Sequence, residues 1–510
     1  MILEALIAFT FVAALIVMVA PDEWAGKLAF GLSLAPFAGS LYLWSQFDAA
    51  GNALTGGTIA FENRIEWLEV GGRSISWFVG LDGISLPLVV LTTFLVPLAI
   101  VSAWTPIDTR QSQFYGLLLF MEANLLGVFA ALDFFLWFIF WEAVLVPMYF
   151  LIGVWGGPRR KYAAIKFFVY TNAASLLMFI GFMSLTFALG DSVNSFGLPE
   201  ITQAIAAGGL GEWFGFDAGT VAMAAFLAMF LGFAVKVPIV PVHTWLPDAH
   251  VEAPTPVSVL LAGVLLKMGT YALLRFNFTM LPDQASTLAI PIAAIAVISV
   301  IYGAMLALAQ KDLKRIVAYS SVSSMGYVIL GLVVFTEYGV GGATFQMVAH
   351  GLISGLMFMA VGVMYNATHT RMVGDMSGMA DRMPLTVGIL VAGAFGYMGL
   401  PLMAGFAGEF FIFVGAFGAP SLPYAPIFTA LAMFGIVIVA GYLLAAMQKT
   451  LFGPFRLETD YEVGRAPLHD IAPLAVLLAA IIVLGVAPDI FFEMIRDAAV
   501  PVVEGVSADV

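Results

Sequence analysis

The chain has 510 residues, of which 62% are hydrophobic and only 10% charged, which excludes a soluble protein and implies many membrane-spanning helices. The net charge of −13 offers no basic footprint for a nucleic-acid partner. The lack of cysteine removes disulfides, iron–sulfur thiolate ligands and thiol chemistry.

The opening MILEALIAFT is acidic and has no basic n-region. It is expected to be a first span rather than a cleaved signal or an arginine-rich transit peptide. Apolar stretches of spanning length then fall at about 2–20, 28–46, 81–104, 113–131, 132–155, 163–188, 219–241, 255–275, 286–309, 316–335, 340–366, 383–417, 424–450 and 469–488. That predicts about fourteen helices, each near the ~20 residues a bilayer requires. Alternate loops carry Lys27; Arg110; Arg159, Arg160 and Lys161; Lys311, Lys314 and Arg315; Arg371 and Arg382; Lys449, Arg456 and Arg465. The other side has only Arg64, Arg73, Arg275 and Arg496. The positive-inside rule makes the first set cytoplasmic and both termini external.

Two segments are not spans. Residues 54–79 alternate polar and apolar in places around Gly71-Gly72, which reads as an external hairpin or as an ordered loop without strands. The tail 489–510 mixes apolar clusters with Glu493, Arg496 and Asp497. It is expected to form an amphipathic interfacial helix packing on a neighbour, or else a frayed end. No linker divides the chain, so 1–510 is expected to be one membrane domain.

The stretch Phe230 to Ser258 stands apart. An apolar span reaches Lys236, then Pro238 and Pro241. Proline removes a backbone donor and clashes with the preceding turn. In lipid such a break survives only where protein or a wet cavity satisfies the freed groups. A charge at that depth costs roughly 2.5–3.5 kcal/mol, so function is the default reading; a lysine snorkelling to the interface is the alternative. Gly232 to Lys236 is echoed by Gly405 to Glu409, each beside a proline break, Pro238 and Pro401. Paired broken spans suggest a transporter built from repeats. The expected fold is an all-α polytopic membrane protein with two inverted five-helix repeats, 113–275 (helices 4–8) and 286–450 (helices 9–13), broken at helices 7 and 12.

Five ionisable residues fall well inside predicted spans: Glu142, Lys236, Lys267, His350 and Glu409. Glu122 is a sixth, Lys166 lies about one turn inside the cytoplasmic end, and Asp133 is at an outer helix end. Burial disfavours the charged form of any acid or base, and a nearby opposite charge restores it. A Glu142–Lys236 pair would therefore hold a proton on the lysine when close and release it when parted. Lys267, His350 and Glu409 would continue the relay through buried water. A static interhelical contact is the alternative for any one residue, though each would have to bear its burial cost. The hydroxyls of Tyr319 to Ser324 are expected to bond back to their own helix, with water ordering as the alternative. His243 and His250, with Asp248, are too thin a set for a metal and are expected to cap broken helix ends. Haem and nucleotide sites have no support.

Three motifs then resemble a known family: PVHTWLPDAHVEAPTPVSVLLAGVLLKMG, FFLWFIFWEAVLVPMYFLIGVWG and KRIVAYSSVSSMGYV. They resemble the antiporter-like membrane subunits of respiratory complex I, the proton-pumping NADH:quinone oxidoreductase, whose superfamily includes Mrp-type cation/proton antiporters and membrane-bound hydrogenases. The chain is most similar to the M-type branch, the counterpart of mitochondrial subunit 4. Its length, the WEAVLVPMYF segment and Glu409, where sister subunits have lysine, carry that likeness. The resemblance implies that Glu142 modulates Lys236, that Lys267 and His350 form a central relay, and that Glu409 is the exit-side group; Glu122 and Lys166 are secondary candidates. It implies no cofactor in this chain, with FMN, iron–sulfur clusters and quinone in partner subunits. Expected partners are neighbouring complex I membrane subunits, docked by the hairpin and terminal helix, and phospholipids. The chain departs from many relatives in having Ser324 where they have histidine, so no relay histidine is expected there. The expected function is proton translocation from cytoplasm to periplasm in a bacterial inner membrane, driven by quinone reduction elsewhere. A subunit of a Mrp-type antiporter or membrane-bound hydrogenase is the alternative.

Overall fold

The computed structural model of the protein describes residues 1–507, with side chains to Gly505. Among these residues, thirteen helices are long and apolar enough to cross a membrane, from Ile2–Val19 to Leu468–Val486. One more crossing is split into two short apolar helices, Pro384–Tyr397 and Ala404–Phe417. Together they give the fourteen crossings expected, numbered here as spans 1 to 14 in chain order.

Burial differs sharply among them. Span 8 (Thr255–Thr279) and span 11 (Glu337–Thr368) have central windows 100% buried, and span 10 (Leu313–Val333) reaches 94%. Span 2 (Asp22–Ser45) and span 13 (Ala425–Thr450) turn most of their surface outward. The least lipid-exposed helices are thus the ones carrying Lys267, His350 and the serine cluster, which is where a bilayer tolerates polar groups.

Span 7 ends earlier than the predicted 219–241. Its helix is Ala218–Lys236; turns occupy 237–244, and a short helix, Trp245–Glu252, precedes span 8. Pro238 and Pro241 impose this stop. The freed groups are paired from neighbouring elements: Trp245 Nε1 donates to the Val235 carbonyl at 2.8 Å, and Val240 N–H donates to Ser299 Oγ at 3.0 Å. A Cβ on Gly269 would lie 2.9 Å from Val237 N and 3.1 Å from Lys236 C, so only glycine lets span 8 press against the break. Span 8 is π-helical over Leu261–Leu265 and Leu273–Thr279, on either side of a regular turn.

The basic loops hold the span 7 break. Lys166 donates to the Thr244 carbonyl (2.9 Å) and pairs with Asp248 (2.7 Å), which also holds Arg315 (3.0 Å). Arg371 donates to the Val251 carbonyl (2.9 Å), Lys314 to that of Ala253 (2.8 Å), and the Gly157 N–H to that of Glu252 (2.8 Å). The open carbonyl end of the short helix is therefore capped by cations and an amide from three other loops, as its partial negative charge favours.

Residues 60–81 form the hairpin rather than a strandless loop: β1 (Ala60–Val70) pairs antiparallel with β2 (Arg73–Leu81). Gly71 and Gly72 supply the two positive φ values (+60° and +78°) that a tight two-residue turn needs. Asp133 caps span 5, accepting from Phe135 N–H and Leu136 N–H, and ties it to the hairpin by accepting from Ser76 N–H.

The tail is a helix over Asp489–Ser507; positions 508–510 of the predicted segment lie outside the described residues. It packs on its own chain. Phe492 stacks on Phe411 (3.9 Å between ring centroids), Phe491 meets Trp44, Asp497 accepts from Gly51 N–H, and Arg496 pairs with Glu337.

Candidate functional site

Lys236 is the last helical residue of span 7, 3% exposed and turned inward rather than toward an interface. Its Nζ stands 4.8 Å from the centre of the Trp141 ring and has no hydrogen-bond partner. A cation over an indole face is electrostatically favoured, so the ring offers the protonated form of this lysine a contact without neutralising it. Glu142 follows Trp141 and is the carboxylate whose charge reaches Lys236. The two are not in direct contact: Glu142 Oε2 accepts from Asn172 Nδ2 at 3.4 Å, and Oε1 is unpartnered.

Lys267 and His350 meet at the centre. Nζ lies 2.6 Å from His350 Nδ1 and donates to the Ala262 carbonyl at 2.5 Å, a group offered by the adjoining π-helical turn. His350 Nε2 is unpartnered. The Tyr397 ring, at the end of the first half of span 12, is 5.8 Å from the His350 ring. Around the Tyr397 hydroxyl stand Ser320, Ser321 and Ser354, close without completing a hydrogen bond. Tyr442 continues this group toward Glu409.

Glu409 lies in the second half of span 12, beyond the break at 398–403. Its Oε2 has no partner and points back at the break: a Cβ on Gly399, at φ +63°, would sit 2.6 Å from it. The break follows Lys236 in span 7 but precedes Glu409 in span 12, so the two Gly-Phe-Ala segments lie on opposite sides of their interruptions.

The structure brings Glu142 toward Lys236 and Lys267 against His350, and sets tyrosine and serine hydroxyls between His350 and Glu409 with no hydrogen bond joining them. Glu122 stands apart: it is fully buried and neither carboxylate oxygen has a partner. Lys166 is held in the ion pairs of the span 7 break. The cap expected of His250 is corrected. Both its ring nitrogens are unpartnered, its ring stacks on Phe358 at 4.4 Å, and it lies within electrostatic reach of Lys314, Lys267 and His350. Of the serines, Ser320 and Ser321 bond back to the Val317 carbonyl as expected, whereas Ser323 crosses to that of Val300. The sequence reading missed Tyr397 and gave His250 a different role; the available signal was a tyrosine next to a Met-Gly-Leu-Pro break and a histidine just before the Val-Glu end of a broken helix.

Comparisons with known proteins identify the family and the fold. Residues 131–438 match the family described as NADH:quinone oxidoreductase/Mrp antiporter, TM, and residues 66–128 match NADH-ubiquinone oxidoreductase chain 4, amino terminus. The chain is 39% identical over 502 residues to NAD(P)H-quinone oxidoreductase chain 4 3 of Trichormus variabilis, covering 96% of this chain and 89% of that one. It is 38% identical to NADH-quinone oxidoreductase subunit M of Rhodobacter capsulatus, covering 96% and 92%. A chain of respiratory complex I from Thermus thermophilus with bound NADH superposes with a TM-score of 0.86 at 27% identity, over 99% of this chain and all (100%) of that one. With the family's region spanning the broken helices and their buried charges, the chain belongs to the NADH:quinone oxidoreductase/Mrp antiporter family, as a membrane subunit of the M (chain 4) type.

Proposed function

We propose that this subunit carries protons along the buried line from Lys236 to Glu409. The supporting observation is the 2.6 Å contact between Lys267 and His350. It places two exchangeable bases at hydrogen-bond distance in the most enclosed spans, with unpartnered ionisable groups on either side. Glu142 acts on Lys236 from outside contact range and sets when the lysine holds its proton. Lys236 passes the proton by way of water to Lys267 and His350, and the Tyr397 and serine hydroxyls carry it to Glu409. Protons enter at the end bearing the basic loops and leave at the hairpin end. On this reading the basic end is cytoplasmic and both termini are periplasmic, in a bacterial inner membrane. Quinone reduction in partner subunits, which hold the flavin and iron–sulfur centres, supplies the energy. The exposed strand β1, with Ile65 and Trp67 more than half open to solvent, contributes to contacts with neighbouring membrane subunits.

Lys236→Ala and Glu142→Ala test the reading. In assembled complex reconstituted into liposomes, each is expected to lose nearly all proton pumping. Pumping at the wild-type ratio of protons to electrons in either variant would overturn it. Proteins co-purifying in mild detergent identify the electron-transfer partners.

A further inference from the structure

Span 8 carries a second file of polar side chains that the relay does not use. One and two turns beyond Lys267, on the same helical face, come Tyr271 and Arg275. Arg275 is 1% exposed and Asp82 is fully buried (0%). The guanidinium grips Asp82 with both terminal nitrogens, at 2.7 and 2.5 Å, and donates to Asn52 Oδ1 at 3.2 Å. Its Cζ stands 5.0 Å from the centre of the Tyr271 ring, and the Tyr271 hydroxyl donates to the Phe129 carbonyl at 3.3 Å.

The grip is built from four parts of the chain. Asp82 leaves the hairpin and also accepts from Ala53 N–H, Ile84 N–H and Ser85 N–H. Asn52 precedes the hairpin and donates to the Ala498 carbonyl of the terminal helix. The cation therefore has little freedom to leave its place in the file.

Strength alone does not call for this pair, because apolar side chains of similar volume are often as stable as a buried ion pair. A fixed cation does something an apolar cluster cannot: it repels another cation. A proton that left Lys267 along span 8 toward the hairpin end, rather than across to His350, would pass Tyr271. There the guanidinium stands 5.0 Å from the ring centre, with Asp82 bound to it. With the cation about 5 Å away, roughly half of its repulsion offset by the bound carboxylate and an effective dielectric near 20, proton occupancy there falls about tenfold.

We propose that Arg275, held by Asp82, is an electrostatic stopper that closes span 8 to protons and commits those on Lys267 to His350 and Glu409. The proposal rests on the reading of Lys267 and His350 as a proton station. Arg275 acts as a positioning residue, through its charge rather than by carrying the proton.

The test uses the assembled complex in liposomes, with two readouts. One is the passive decay of an imposed pH gradient with electron transfer switched off, and the other is protons pumped per electron with it on. Arg275→Gln removes the repulsion and leaves Asp82 in place, so it is expected to speed passive decay at least ~tenfold and to lower the pumping ratio. Adding Lys267→Ala to that variant is expected to return the leak to the wild-type rate. Arg275→Lys weakens the two-pronged grip but keeps the charge, and is expected to stay tight. The paired variant Asp82→Asn/Arg275→Gln leaves no unmatched charge, is expected to leak about tenfold faster than wild type, and decides the matter if the single variant does not assemble. A wild-type leak in the glutamine variants overturns the stopper, as does a leak in Arg275→Lys equal to that in Arg275→Gln, which would make the pair a staple. If the underlying proton reading is what fails, Lys236→Ala pumps normally. A tight Arg275→Gln together with a Lys236→Ala that does not pump refutes the stopper alone.

Discussion

His350→Ala removes the base that Lys267 faces at 2.6 Å in the innermost pair of spans. Two positive charges at that separation would repel by about 6 kcal/mol at an effective dielectric near 20. The pair therefore holds one proton at a time. With the proton on Nζ the ammonium donates to Nδ1; with the proton on the imidazole, Nδ1–H donates to the amine. A positioned acid–base group typically speeds proton transfer by about 10²–10⁴, so losing one is expected to cut pumping at least ~100-fold, to background. His350→Gln keeps a hydrogen-bond acceptor but cannot exchange a proton, and is expected to fail equally, which separates proton exchange from packing. The assay is dye-reported acidification in liposomes holding the assembled complex, with electron transfer measured in parallel and assembly checked by native electrophoresis. Wild-type protons per electron in either variant would refute the station.

Asp82→Ala leaves Arg275 buried and unmatched, which is expected to cost about 3–5 kcal/mol, read as a lower thermal unfolding temperature of the complex. Burial pushes the Asp82 carboxyl up, but the Arg275 charge and the surrounding N–H donors outweigh it and hold the group below the ordinary carboxylate range. Its stabilisation is thus complete above the unfolded-state value near pH 4 and is lost as pH falls through the lower folded value. Acid unfolding is accordingly expected to begin at higher pH in Asp82→Asn than in wild type. Gly399→Ala forces a side chain onto φ +63° and places its Cβ 2.6 Å from Glu409 Oε2. The backbone cost is roughly 1–2 kcal/mol, and pumping is expected to fall with Glu409 itself unchanged; an assembled variant with full pumping would show that this carboxyl need not face the break.

The spans were legible because about twenty apolar residues in a row have few other uses. The five central charges were legible for the converse reason, each being expensive where it stands. Tyr397 was not, because a tyrosine near a helix end is common at the membrane interface, and only its approach to His350 and the serines distinguishes it. His250 was misread because proline-rich surroundings suggest a cap, while its stacking on Phe358 depends on a helix more than a hundred positions away in sequence. The apolar face of the terminal helix was visible in its spacing, but not what it covers, since Phe345, Phe411 and Trp44 are brought together only by the fold. Lys314 and Arg371 read as markers of orientation; their work on the carbonyls of Val251 and Ala253 needs the tertiary arrangement to be seen.

The anchoring of the short helix Trp245–Glu252 bears on which side of the Glu142–Lys236 couple is free to shift. Seized by side chains and amides from several loops, that helix is a poor hinge. The helix of Glu142 has an interruption of its own. Pro147 deprives the Ala143 carbonyl of its usual donor, and the hydrogen bonds on either side of Val144 are stretched to 3.3 and 3.4 Å. A change in the distance between the two charges is accordingly open to the acid, whose helix is interrupted within two turns of it, and to the free Nζ of the lysine, but not to the anchored helix beyond the break.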